Sequence, residues 1–146
     1  MEEDYRVLTI CCVVVIAALL VVGAVSHGII RHVVQTSPLW IAIVLGIRHS
    51  GWTKWAAIPC FVFWLLIMIS IWLFLLGWAR IISGAFSATE IAMTLIVGLA
   101  SMAGTLRAAR IRGGVSPWRA TAIVLLVAAL QIAALRVSLL PQIAHR

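Results

Sequence analysis

Glu90 is the only acidic side chain after Asp4. A lone carboxylate in an apolar chain is the group a proton-coupled transporter would need, because it can bind and release a proton inside the membrane. Its neighbours suggest a second role. Ser87-Ala88-Thr89-Glu90 matches the S-x-x-E capping box, with Phe86 and Ile91 at the two hydrophobic staple positions. The cap accounts for Glu90 by itself. A transport role would add Arg80, an ion-pair partner across a helical hairpin, and the Trp64/Trp72 face. These two indoles stand at i, i+8, in line with Phe61 and Met68. Such a stripe could receive a flat or cationic ligand, or pack against helices and lipid.

The other reactive side chains point to little chemistry. His27, His32 and His49 are expected near one membrane interface, where three imidazoles could ligate a metal or a haem. His27 and His32 are i, i+5 and so face different ways, with no carboxylate nearby. Cys11, Cys12 and Cys60 lie in apolar runs without a C-x-x-C or zinc spacing, which suits small fillers of helix packing. There is no Asp beyond residue 4 for a Ser-His-Asp triad and no H-E-x-x-H. The expectation is therefore no catalytic residue, no metal site, no cofactor and no enzymatic activity.

Two further patterns concern association. Thr94, Gly98, Ser101 and Thr105 recur at intervals of four, three and four, and Ala129 and Ala133 at four. Small residues let membrane helices approach closely, and hydroxyls can bond across the gap. Arg107, Arg110, Arg112 and Arg119 form the densest charge cluster, suited to anionic lipid headgroups or an acidic partner. The net charge of +7 does not indicate nucleic acid, because no basic stretch carries interleaved aromatics.

The elements that position these residues are helices. The chain is 64% hydrophobic and 10% charged, where a soluble domain has about 25% charged residues. The expected fold is all-α: a polytopic integral membrane bundle of four transmembrane helices plus a short interfacial helix, in one domain over residues 1–146. The spans are placed at about 6–30, 55–82, 88–110 and 117–140, lengths suited to a hydrocarbon core about 30 Å thick. Asp4 is a candidate N-cap for the first, read as a retained span because the residues before it are acidic. The second is expected to run past Arg80 to Ser83 and stop at Gly84; Gly113-Gly114 stops the third. Ser37-Pro38 and Ser116-Pro117 both read as helix starts, with Ser capping and Pro at the first position. The first of these opens a helix over about 38–49, roughly 18 Å long, too short to span. It is read as interfacial or re-entrant, a fifth span being the alternative.

With four spans, Arg6, Arg80, Arg136 and Arg146 share one side, and Arg31, Arg48, Lys54, Arg107, Arg110, Arg112 and Arg119 the other. The second side is expected to be cytoplasmic, leaving both termini outside. The lack of a targeting peptide suits a bacterial cytoplasmic (inner) membrane. The leading functional expectation is a non-enzymatic accessory or scaffold subunit with a membrane-protein partner or as a homo-oligomer. The alternative is an oligomeric small-solute or ion transporter or channel using Glu90, Arg80, Trp64 and Trp72.

Overall fold

The computed structural model describes residues 2–82, 84–112 and 114–144. The described residues are helical, without strands. The elements are α1 (Glu2–Val25), α2 (Ile29–Ile47), α3 (Thr53–Leu75), α4 (Ala88–Arg110), α5 (Pro117–Ser138) and a short α6 (Pro141–Ala144). Five of them, α1 to α5, are long and apolar enough to cross a membrane.

This corrects the four-plus-one count. The first expected span, 6–30, is two pieces: α1 begins at Glu2 and ends at Val25, and α2 takes up the chain at Ile29. Asp4 lies inside the first turn of α1 rather than capping it. The interfacial helix over 38–49 is the second half of α2, so Ser37-Pro38 is not a start. Pro38 is buried mid-helix. A proline there leaves the carbonyl four residues back without its usual donor. Ser37 Oγ donates to that carbonyl, Val34 O, at 2.8 Å, so the helix continues through the proline.

Three helices end the same way. The N–H of Gly28 donates to Gly23 O, that of Ser50 to Leu45 O and that of Trp78 to Leu73 O, at 2.8, 3.0 and 2.9 Å. These are the long bonds of a Schellman ending, with a left-handed residue just before the donor. That residue is His27 (φ 55°), His49 (φ 48°) and Gly77 (φ 74°). Glycine takes this conformation freely, and histidine is among the side chains that adopt it more often than most. So α3 stops at Leu75, not near residue 82; Ser83 and Gly113 lie outside the described residues. Ser116 occupies the cap position of α5 with Pro117 following, but its side chain makes no capping bond.

Consecutive helices run in alternating directions. At one end, Arg107 Nη1 meets Asp4 Oδ1 at 3.3 Å, Lys54 Nζ donates to Ile111 O at 2.9 Å, and the Tyr5 and His49 rings lie 5.5 Å apart. At the other end, Trp72 Nε1 donates to Thr94 Oγ1 at 3.1 Å and the Phe74 and Phe86 rings are 6.1 Å apart. Helix α1 packs on α2 and α4, α3 on α4 and α5, and α5 on α2, with α2 also meeting α3. With five helices, residues 2–6 and 139–144 fall at opposite ends of the bundle, which does not fit the expectation that both termini share a side.

The tightest packing lies toward the end holding residues 2–6. Leu8, Cys12 and Val15 of α1, Leu39 of α2, Cys60 and Phe61 of α3, and Ser101 and Ala108 of α4 are shut off from the surface. Gly104 lets α4 close on α3, because a Cβ there would overlap the Phe61 ring. On α5, Gln131 Nε2 donates to Gln35 O at 3.0 Å, and Gln35 Nε2 to Ser138 Oγ at 2.9 Å. This buried polar seam fastens α5 to α2.

Candidate functional site

The first turn of α4 fixes Glu90. Ser87 is extended (φ −72°, ψ 161°), and its Oγ accepts from Glu90 N at 3.3 Å. Glu90 Oε2 in turn accepts from Ser87 N and Ser87 Oγ, each at 2.8 Å. This reciprocal pair satisfies two amides the helix start would otherwise leave open.

The capped carboxylate also faces a cavity of about 390 Å³ lined by residues from all five long helices. Its exposed lining residues Ser26, Gly84 and Ala85 belong to the α1–α2 turn and the 76–87 connection, so the mouth is at that end, where Arg31, His32 and Glu90 also line it. Arg31 and Glu90 each sit in the first turn of their helices. Deeper in, Phe63, Trp64, Met68 and Val97 form the wall. Trp64 lies 11 residues before the end of α3, so the cavity reaches roughly 16 Å into the bundle at 1.5 Å per residue. Beyond it the Phe61–Gly104 contact and the packed core close the way to the other end.

Most polar groups on the wall are occupied. Ser26 Oγ donates to Val22 O, Thr94 Oγ1 to Ile91 O, and Gln35 Nε2 to Ser138 Oγ. His32 Nδ1 lies 3.0 Å from Gly28 O; a carbonyl only accepts, so Nδ1 carries the proton. Two donors stand out. Arg31 Nε and Trp64 Nε1 are buried and have no hydrogen-bond partner. Nor do the opposite charges cancel each other, since no ion pair joins Arg31 to Glu90.

Of the four transport candidates, the structure brings Glu90 and Trp64 to one cavity and leaves the other two outside it. Trp72 is used in its bond to Thr94. Arg80 is exposed and makes no ion pair with Glu90. The histidines separate: His27 and His32 are at the cavity end, while the His49 ring meets that of Tyr5 at a tilt of 53° at the other. Among the described residues no group of three or more His, Cys, Asp or Glu comes together as a metal site. Along α4 the buried stripe is Thr94, Val97, Ser101, Gly104 and Ala108. Thr94 and Ser101 belong to it, while Gly98 and Thr105 are half-buried beside it. Arg107, Arg110, Arg112 and Arg119 gather at the end opposite the cavity. Arg107 contacts Asp4, and Arg119 lies over the Trp118 ring at 5.6 Å.

Sequence reasoning missed Arg31 and Gln35 as wall residues and Gly104 as the close contact between α3 and α4. Arg31 carries a readable signal: a charged side chain in the first turn of an apolar helix has to be accommodated somewhere. That signal is hidden when residues 29–34 are read as the end of the first span. Comparison with known proteins adds no name to the site: no protein-family model matches the chain, and no curated protein or solved structure matches it.

Proposed function

We propose that this chain is a multi-pass membrane protein with five spans that binds a small ligand in a cavity open to one side. On this reading it is a solute carrier or ligand-holding subunit without catalytic chemistry of its own. The observation that carries the proposal is the end-open cavity, which draws on all five helices and presents Arg31 and Glu90 without an ion pair between them. A volume of about 390 Å³ falls within the roughly 300–1,000 Å³ of ligand sites. Arg31 Nε is buried without an acceptor, and an occupant with an oxygen acceptor would satisfy it. Closure at one end and access at the other is the arrangement of a carrier caught in one state.

Orientation follows from the basic residues. Arg6, Arg48, Lys54, Arg107, Arg110, Arg112 and Arg119 share the closed end, and Arg31, Arg80 and Arg136 the open one. The closed end, with the N-terminal residues, then faces the cytoplasm, and the cavity opens outward. Arg6 and Arg31 exchange sides relative to a four-span arrangement, so the side read as cytoplasmic keeps seven basic residues. A bacterial inner membrane suits this scheme. The closed-end arginines would rest on anionic headgroups.

A second reading, an accessory or scaffold subunit, is favoured by α5. Only 17% of its most apolar window is buried, and Ala129 and Ala133 lie exposed on it, a small-residue face open to a partner helix or second copy.

Substituted-cysteine labelling of intact cells tests the main reading, with Cys11, Cys12 and Cys60 replaced. A membrane-impermeant thiol reagent should modify cysteines at Ala79 and Met93 and spare one at Gly51. Labelling at Gly51, or protection of Met93 while Ala79 reacts, would overturn it.

A further inference from the structure

The cavity wall prescribes a ligand class. This step rests on the proposed ligand-binding reading and deepens it. Arg31 and Glu90 lie in the first turns of α2 and α4, two helices that begin at the same end of the bundle. Both face the mouth, and no ion pair joins them. Arg31 Nε is buried without an acceptor. Glu90 commits Oε2 to its own cap, while Oε1 makes no hydrogen bond. A guanidinium calls for an oxyanion, which it can receive on two parallel N–H groups. The positive ends of the α2 and α4 dipoles favour the same charge. A carboxylate lining the same cavity would repel a simple anion, and instead calls for an ammonium. Below this charged pair the wall is apolar and aromatic: Phe63, Trp64, Ile67, Met68 and Val97.

We infer that the cavity takes a zwitterion with an apolar body, its oxyanion on Arg31, its ammonium on Glu90 and its body against Trp64 and Met68. Two sources offer this chemistry. One is a free apolar amino acid. The other is a lipid with an ethanolamine phosphate head and a single chain. A simple anion such as a fatty acid meets the carboxylate of Glu90, and a simple cation meets Arg31. Opposing charges at one mouth therefore select against both.

The experiment is equilibrium binding to the full chain in lipid nanodiscs. Phenylalanine and lysophosphatidylethanolamine are the two zwitterionic probes. N-acetylphenylalanine and phenethylamine each lack one charge, and dodecanoate serves as the plain anion. One of the zwitterions should bind at least about tenfold more tightly than any probe missing a charge, the size expected for one charge-assisted bond. Which zwitterion binds identifies the source. Arg31→Gln should weaken the zwitterion and N-acetylphenylalanine and strengthen phenethylamine, and Glu90→Gln should weaken the zwitterion and phenethylamine and strengthen N-acetylphenylalanine. Glutamine also serves in a capping box, so the second variant keeps the start of α4 intact; thermal unfolding of both variants checks the fold. Equal affinity for dodecanoate and the zwitterions, or charge variants that leave zwitterion binding unchanged, would overturn the ligand assignment while leaving a ligand-binding cavity in place. If no probe binds, both the assignment and the ligand-binding reading fall.

Discussion

The ring of Phe61 occupies the space that a side chain on Gly104 would need. This one contact sets how closely α3 and α4 approach, and it lies just below the floor of the cavity. Helices in lipid gain little from apolar burial alone, so close backbone approach and dispersion carry their association. Gly104→Ala should therefore destabilise the protein by about 1–3 kcal/mol, the usual cost of overpacking. Phe61→Leu in the same chain should recover part of that loss by making room for the added methyl. Thermal unfolding of the single and double variants checks this. Additive losses would mean that the two residues do not share the space.

The left-handed histidines offer a change in the other direction. His27 is exposed and makes no side-chain hydrogen bond, yet it holds φ 55° to complete the ending of α1. An L-residue in this conformation costs roughly 1–2 kcal/mol that glycine does not incur. His27→Gly should raise the unfolding midpoint, and His27→Val, β-branched and poorly suited to positive φ, should lower it. At His49 the same glycine substitution should help less, because it also removes the ring contact with Tyr5. A midpoint that falls in His27→Gly would show that the imidazole contributes more than its backbone costs.

These histidines also show why part of the fold was legible in the sequence and part was not. Helical class, the start of α4 at Ser87 and the start of α5 at Pro117 follow from local signals that stand alone: an apolar run, a capping box, a proline at the first turn. The break between α1 and α2 gives a weaker signal. Its left-handed residue is His27 rather than the next residue, Gly28, and the apolar character of 7–30 runs straight across it. With that break unread, Ser37-Pro38 becomes the nearest apparent helix start. The cavity is less legible still. Glu90 and Trp64 can be singled out by type, but Arg31 and Gln35 reach the same space from α2, and only packing shows that these segments meet. The polar seam joins residues about a hundred positions apart in sequence, beyond any local pattern.

That seam makes a third prediction. Ser138→Ala leaves the Gln35 amide without its acceptor in a buried position, so it should cost about 1–3 kcal/mol. Gln131→Leu removes a donor whose target, Gln35 O, still has its place in the helix, so the loss should be nearer the roughly 0.6 kcal/mol typical of bonds between membrane helices. The ranking Ser138→Ala worse than Gln131→Leu is the test, read from unfolding in mild detergent. Limited proteolysis should show α5 released before the other helices in Ser138→Ala. If Gln131→Leu is the more damaging, the free Gln131 Oε1 has an occupant, and a water held there becomes the next object of study.

The passage of α2 through Pro38 gives the last. Ser37 Oγ reaches Val34 O, the carbonyl that Pro38 leaves without a backbone donor. If this bond is what lets the helix continue, the value of the hydroxyl depends on the proline beside it. Ser37→Ala should cost on the order of 1 kcal/mol, an ordinary hydrogen bond. In a Pro38→Ala background the restored backbone amide can supply the bond, and the same Ser37→Ala change should then cost close to nothing. The double-mutant cycle isolates this coupling because the two residues share one acceptor. Equal losses in both backgrounds would show that Ser37 acts elsewhere, for instance on lipid, where its exposed position would allow it. A coupling near the full value of the bond would show that α2 is held as one span by this hydroxyl. Arg31, at the cavity mouth, and the Pro38 segment would then stay on one continuous helix, and loosening the bond should weaken ligand binding without any change to the residues that touch the ligand.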